Sequence, residues 1–128
     1  MIYRSLMALS WLVCHTPYRL LMGIGHVLGN LYYLLVKKER ERAVSQMMTS
    51  LKMSEAETHK TVRASFVNLA RNVLEILYMP HLNEQNFTQY IEIDHLERMK
   101  AALAEGKGVV VLTGHIGTWE WLSASFTL

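Results

Sequence analysis

A single cysteine, Cys14, occurs in 128 residues, and it lies inside an apolar stretch. Neither a disulfide framework nor a thiolate set for structural zinc can be built from it, which favours a reducing compartment or a bilayer setting. Excess charge of one sign is also scarce. Thirteen Lys and Arg against eleven Asp and Glu leave +2, too little to argue for a nucleic-acid partner. The histidines His15, His26, His59, His81, His95 and His115 never fall three or four apart, so no helical face offers two imidazoles to a metal and no metal or other cofactor is expected. There is no Gly-x-Ser-x-Gly elbow, which removes the usual sign of a covalent serine intermediate and with it the case for a serine-type lipid hydrolase. No small-residue cleavage pattern follows the N-terminal apolar region, so a signal peptide is a poor reading of it. No internal repeat or low-complexity tract is present.

What the chain does have is unevenly spread: its ends are apolar and its middle is charged. Residues 1–36 read as a membrane anchor. The longest charge-free stretch runs from Leu20 to Val36, and a spanning helix needs about 20 apolar residues, so this stretch spans only by borrowing from Leu6 to Tyr18. His26, Asn30 and three glycines make it a poor lipid-only surface. Lys37, Lys38, Arg40 and Arg42 follow at once, and by the positive-inside bias they place the residues after them in the cytoplasm. Tyr32 and Tyr33 fit an interfacial belt beside that cluster. A spanning or re-entrant anchor, a helix lying in the interface and a buried soluble helix all remain open for this region.

Further along, Ser54-Glu55-Ala56-Glu57 forms a capping box and Pro80 stops what it opens, which predicts a helix between them. Val62, Phe66, Leu69, Val73, Ile76 and Leu77 recur at steps of three and four and give it one apolar face, while Arg63, Asn68, Arg71 and Glu75 look the other way or along the flank. The plain reading of that stripe is core or membrane-facing packing. Tyr90 to Ile93 alternates like a short strand, Asp94-His95-Leu96-Glu97 reads as a second capping box opening a helix to Glu105, and Gly106 sits where a left-handed C-terminal glycine is expected. Val109 to Thr113 then reads as a strand buried on both faces. Strand, helix, strand in that order predicts a parallel α/β unit.

At the end of the second strand stands His115, with four residues between it and Glu120. Five positions apart, they are rotated by roughly 140° within one helix and cannot meet there. They can meet if His115 lies on the turn leaving the strand and Glu120 projects from the first turns of the next helix, with Gly114 and Gly117 supplying turn freedom. That is the end of a parallel strand where open α/β sheets place their sites. An imidazole there takes a proton from a hydroxyl, and a carboxylate on its other nitrogen fixes the tautomer and raises the basicity. Without a resident nucleophile, the simplest chemistry is attack by an activated substrate hydroxyl on an acyl donor. A histidine and a glutamate in an ordinary strand-to-helix turn is the competing reading of the same spacing.

The segment Gly106 to Leu122, with its Gly-Lys-Gly, its apolar run, His115 and Trp119-Glu120-Trp121, resembles the His-x4-Asp/Glu block of the lysophospholipid and lipid A acyltransferase superfamily. Within it, the closest resemblance is to the bacterial late lipid A acyltransferases that add lauroyl or myristoyl groups. The upstream order of anchor, basic helix, Ser65 to Arg71 helix and the segment Ile91 to Glu105 resembles the same branch, so the likeness covers nearly the whole chain. Two positions depart from it: Met47 and Thr118 stand where members often carry asparagine.

The resemblance implies an N-terminal membrane-anchor helix followed by the first part of a mixed or parallel-sheet acyltransferase domain, residues 37–128 being its N-terminal, apparently truncated, portion. It implies transfer of a fatty acyl chain from acyl carrier protein or coenzyme A to a hydroxyl of a glycolipid, a lipid A precursor above all. The setting would be the cytoplasmic side of a bacterial inner membrane, with His115 as general base and Glu120 as its orienting partner. Trp119 would pack within the motif. The later blocks of such domains have no counterpart in these residues, so the 128 residues alone are expected to have little turnover. The alternative is an inactive fragment acting as a noncatalytic membrane-bound interaction module, in which the Val62 to Leu77 stripe serves a partner helix.

Overall fold

The structure, a computed structural model, describes residues 2–125. Its elements are helices α1 (Ile2–Cys14), α2 (Tyr18–Leu35), α3 (Lys37–Leu51), α4 (Glu55–Tyr78), α5 (Leu96–Ala104) and α6 (Trp119–Ser125), with 3-10 turns at Met79–His81 and Phe87–Gln89. They fall into two compact units, one from residue 1 to His81 and one that begins at Leu82.

The first unit is built on α4. Its start is fixed by the capping box: the Ser54 hydroxyl accepts from the Glu57 backbone N–H, and the Glu57 carboxylate accepts from the Ser54 backbone N–H, satisfying two of the donors a helix start leaves orphaned. α2 packs along it most extensively, with α3 and α1 also against it. Gly25 and Gly29 allow the close approach of α2. A Cβ on Gly29 would fall onto the Val67 backbone and within 2.8 Å of the Phe66 carbonyl oxygen, and one on Gly25 would sit 2.9 Å from Cγ of Arg71. The Gly-x3-Gly spacing puts both on one face of α2. Tyr18 donates its hydroxyl hydrogen to Oε1 of Glu75 at 2.6 Å, a second tie between these helices. Ser10 on α1 donates to the Leu77 carbonyl at 2.7 Å.

Val44, Val62 and Phe66 form the core where α3 meets α4, with Tyr33, Ala43 and Met47 packed against it. Met47, one of the two departures from the family pattern, is thus an apolar core contact. The expected stripe on α4 divides along its length. Val62 and Phe66 are buried, whereas Leu69, Val73 and Ile76 are exposed. The flank expected to look away instead meets α2, where Arg63 bonds to Asn30 and Glu75 bonds to Tyr18.

At Val36 the chain turns by 90° between α2 and α3. No single helix is long and apolar enough to cross a membrane, although the bent pair α2 and α3 passes by length and composition together. Much of the outer surface is apolar all the same: Ile2, Tyr3, Trp11 and Leu12 on α1, and Val27, Leu34 and Leu35 on α2, are exposed.

The second unit holds α5 and α6. The expectation of an α/β sheet is overturned here: among the described residues there is no strand. Tyr90 ends a 3-10 turn and Ile91 to Ile93 carries no ladder; Val109 to Thr113 is irregular and mostly uncovered, with Val110 89% and Leu112 94% exposed. An apolar β-branched run favours extension, yet a strand exists only when a neighbour takes up its backbone N–H and C=O groups, and no described segment does so. The second capping box is corrected too. His95, in the left-handed region at φ 56°, is the N-cap of α5 without a side-chain cap, and its Nδ1 lies 3.3 Å from Oε1 of Glu97. At the other end Gly106 takes φ +70°, as its position required, and its N–H donates to the Leu103 carbonyl.

Candidate functional site

The segment carrying His115 is laid out by glycines. Gly106 and Gly108 have φ of +70° and +77°, ending α5 and turning the chain into the exposed apolar run. Gly117, at φ +63°, turns it again before α6, a conformation any residue with a Cβ adopts at a cost. The Thr118 carbonyl accepts from the Trp121 N–H at 3.0 Å and opens the helix. Thr118, the other departure from the family pattern, therefore serves the helix start through its backbone.

His115 lies on the bend between these turns and is exposed, while Glu120 lies in the first turn of α6 and is partly buried. That is the loop-then-helix placement the spacing required, reached without the strand. The two side chains are not joined: among the described residues no hydrogen bond or ion pair links them. The neighbour of His115 is Trp119, four residues on, whose ring meets the imidazole edge to face at a centroid distance of 4.8 Å, within the range of favourable aromatic pairs. Trp119 is about one third exposed, so its contact with the imidazole is open to solvent. Two positions beyond, Trp121 is buried and meets Tyr90 at 6.3 Å in a T-shaped contact. α6 is thereby pinned to its own unit by Trp121, with Trp119 exposed and Glu120 partly buried beside it.

Chemically, this puts an accessible imidazole, in edge-to-face contact with an indole, five positions ahead of a carboxylate. It is equipped to accept a proton from a hydroxyl. No group of three or more His, Cys, Asp or Glu side chains gathers as a metal site would need among the described residues.

A concave region in the first unit went unread in the sequence. His26 and Asn30 of α2 and His59, Lys60, Arg63 and Arg71 of α4 line one groove of about 600 Å³. The signal for it was present: Gly25 and Gly29 bring α2 onto α4, and the polar residues of α4 recur at helical spacing on the facing side.

No curated protein and no solved structure matches the chain significantly. The family model of the bacterial lipid A biosynthesis acyltransferases matches residues 3–127, which takes in the helices of the first unit together with the segment from His115 to Glu120. The chain belongs to the bacterial lipid A biosynthesis acyltransferase family.

Proposed function

We propose that the enzyme carrying this sequence moves a fatty acyl chain from an acyl thioester, on acyl carrier protein or coenzyme A, to a hydroxyl of a lipid A precursor, with His115 as general base. The observation that carries this reading is the exposed His115 on a glycine-framed bend, five positions ahead of Glu120 in the first turn of α6, in a chain of a lipid A acyltransferase family. His115 takes the proton of the acceptor hydroxyl as its oxygen attacks the thioester carbonyl, and the thiol leaves with a proton returned by the imidazolium. Glu120 holds the ring and stabilises its charged form. Trp119 keeps the imidazole from turning away.

The site of action is the cytoplasmic face of a bacterial inner membrane. What supports this is the exposed apolar side chains of α1 and α2 followed directly by Lys37, Lys38, Arg40 and Arg42. The test, run on the full-length enzyme that carries this sequence, is acyl transfer to a hydroxylated glycolipid, followed by mass spectrometry of the ester product, with each thioester offered in turn. Ester formed with one donor and lost in His115→Ala is the expected result. Ester formed equally by His115→Ala would remove His115 from the chemistry, and no ester with either donor would contradict the activity.

A further inference from the structure

The groove between α2 and α4 gathers positive charge without an acidic side chain in its lining. Lys60, Arg63 and Arg71 line it together with His26 and His59, and no Asp or Glu does. None of the three cations forms an ion pair among the described residues. The nearest carboxylate contact belongs to His59, whose Nε2 lies 4.0 Å from Oε1 of the exposed Glu55. Side chains of like charge around one concave space repel, and the repulsion is relieved when an anion with several acceptor oxygens enters.

The donors are also held in place. Arg63 donates from Nε to Oδ1 of Asn30 at 2.5 Å, and Arg71 donates from Nε to the Met22 carbonyl at 3.3 Å. In both, the bond to Nε fixes the plane of the guanidinium and leaves the terminal N–H groups for a ligand. Arg71 can lie along α2 because Gly25 has no side chain. The Tyr33 hydroxyl lies 3.0 Å from Nδ1 of His59 and sets that ring. Pre-oriented forks of this kind suit phosphate oxygens, which accept two N–H bonds at once. Ala64 and Val67 add an apolar wall.

We propose that this groove binds a phosphate group, as a monoester or diester. It is lined only by residues of the first unit, and it goes beyond the acyl-transfer reading because it does not involve His115. A phosphate could reach it on a lipid headgroup or as a free ion, and the experiment separates the two.

The protein, isotopically labelled at its histidine and arginine side-chain nitrogens, is titrated with inorganic phosphate and separately with dihexanoyl phosphatidic acid, and the resonances of His26, His59, Arg63 and Arg71 are followed. Saturable shifts are expected. If they appear with the lipid alone, the phosphate is read as a headgroup; if inorganic phosphate produces them as strongly, it is read as a free ion. Removing cations with Lys60→Gln and Arg63→Gln should weaken binding about tenfold for each charge lost. Arg98→Gln with Lys100→Gln, on α5, should leave it unchanged. Lys60 and Arg63 are exposed, so these variants keep the test open if Arg71→Gln disturbs packing, and unchanged thermal unfolding verifies their fold. Absence of saturable shifts with both probes would overturn the proposal. So would shifts that persist undiminished in a folded Lys60→Gln, Arg63→Gln double variant.

Discussion

The core around α4 and the run from Val109 to Ile116 are both built from apolar residues, yet they meet opposite fates. On α4, Val62 is 1% exposed and Phe66 8%, whereas Val110, Leu112 and Ile116 are 89%, 94% and 87% exposed. Hydrophobicity is therefore not what separates them. A helix satisfies its own backbone and needs a neighbour only for one side-chain face, while an extended run needs a partner for its backbone as well. The first condition is met within the residues around α4 and the second is not met around Val110. The consequence is that stability is concentrated in α2, α3 and α4, while His115, the proposed base, lies on a bend that contributes little to it.

This contrast can be broken most severely at the closest approach of α2 to α4. Gly29→Leu would drive a side chain into the Val67 backbone; the expected loss is about 3 kcal/mol or more, read from thermal or denaturant unfolding. A variant as stable as the parent would mean that the two helices are not packed through Gly29. Next in size is Val62→Ala in the core with Val44 and Phe66, expected to cost roughly 2 kcal/mol through lost burial and a residual cavity. At the other pole, Leu112→Ser should change unfolding by less than about 0.5 kcal/mol, since the side chain is already in solvent, and should lower self-association by interrupting an exposed apolar run. A large destabilisation from Leu112→Ser would show that the run is packed.

The smallest effect concerns the start of α4. The Ser54 hydroxyl donates to Oε2 of Glu57 at 2.5 Å and its backbone N–H donates to the same oxygen at 3.3 Å. These bonds hold the exposed Glu57 carboxyl below its ordinary range, the side-chain bond contributing more than the backbone one. Because the folded value lies below the unfolded one, the associated stability is present above the unfolded carboxyl pKa and is lost as pH falls through the folded one. Ser54→Ala should therefore unfold at lower temperature than the parent at neutral pH, and the gap should narrow in acid below the carboxylate range. A gap that widened in acid would contradict the capping account.

The helical part was legible where local signals coincide. The Ser54 capping box, the Pro80 stop and the Gly106 turn all stand where the residues put them, because each is decided within one helical turn. The α/β sheet was misread for the reason that separates the two regions: β-branched periodicity in Val109 to Thr113 reports a preference for extension, and pairing depends on segments distant in sequence. For the candidate pair, the backbone placement was legible and the side-chain meeting was not found. His115 sits on a bend and Glu120 in the first turn of α6, but the edge-to-face contact of Trp119 with the imidazole was not expected, since Trp119 was assigned to packing. Gly25 and Gly29 were in plain view as well; they were read as a defect in a lipid-facing surface, when their spacing marks the face on which α4 lies and behind which Lys60, Arg63 and Arg71 collect.

The most direct test is paired, measuring turnover and thermal unfolding on the same His115→Ala form of the full-length enzyme that carries this sequence. If stability resides around α4 and proton transfer on the bend, turnover of an acyl thioester with a lipid A precursor should fall by about 10²- to 10⁴-fold while the unfolding midpoint stays at that of the parent. Turnover retained within a few-fold, or a collapse of the unfolding midpoint together with activity, would contradict it.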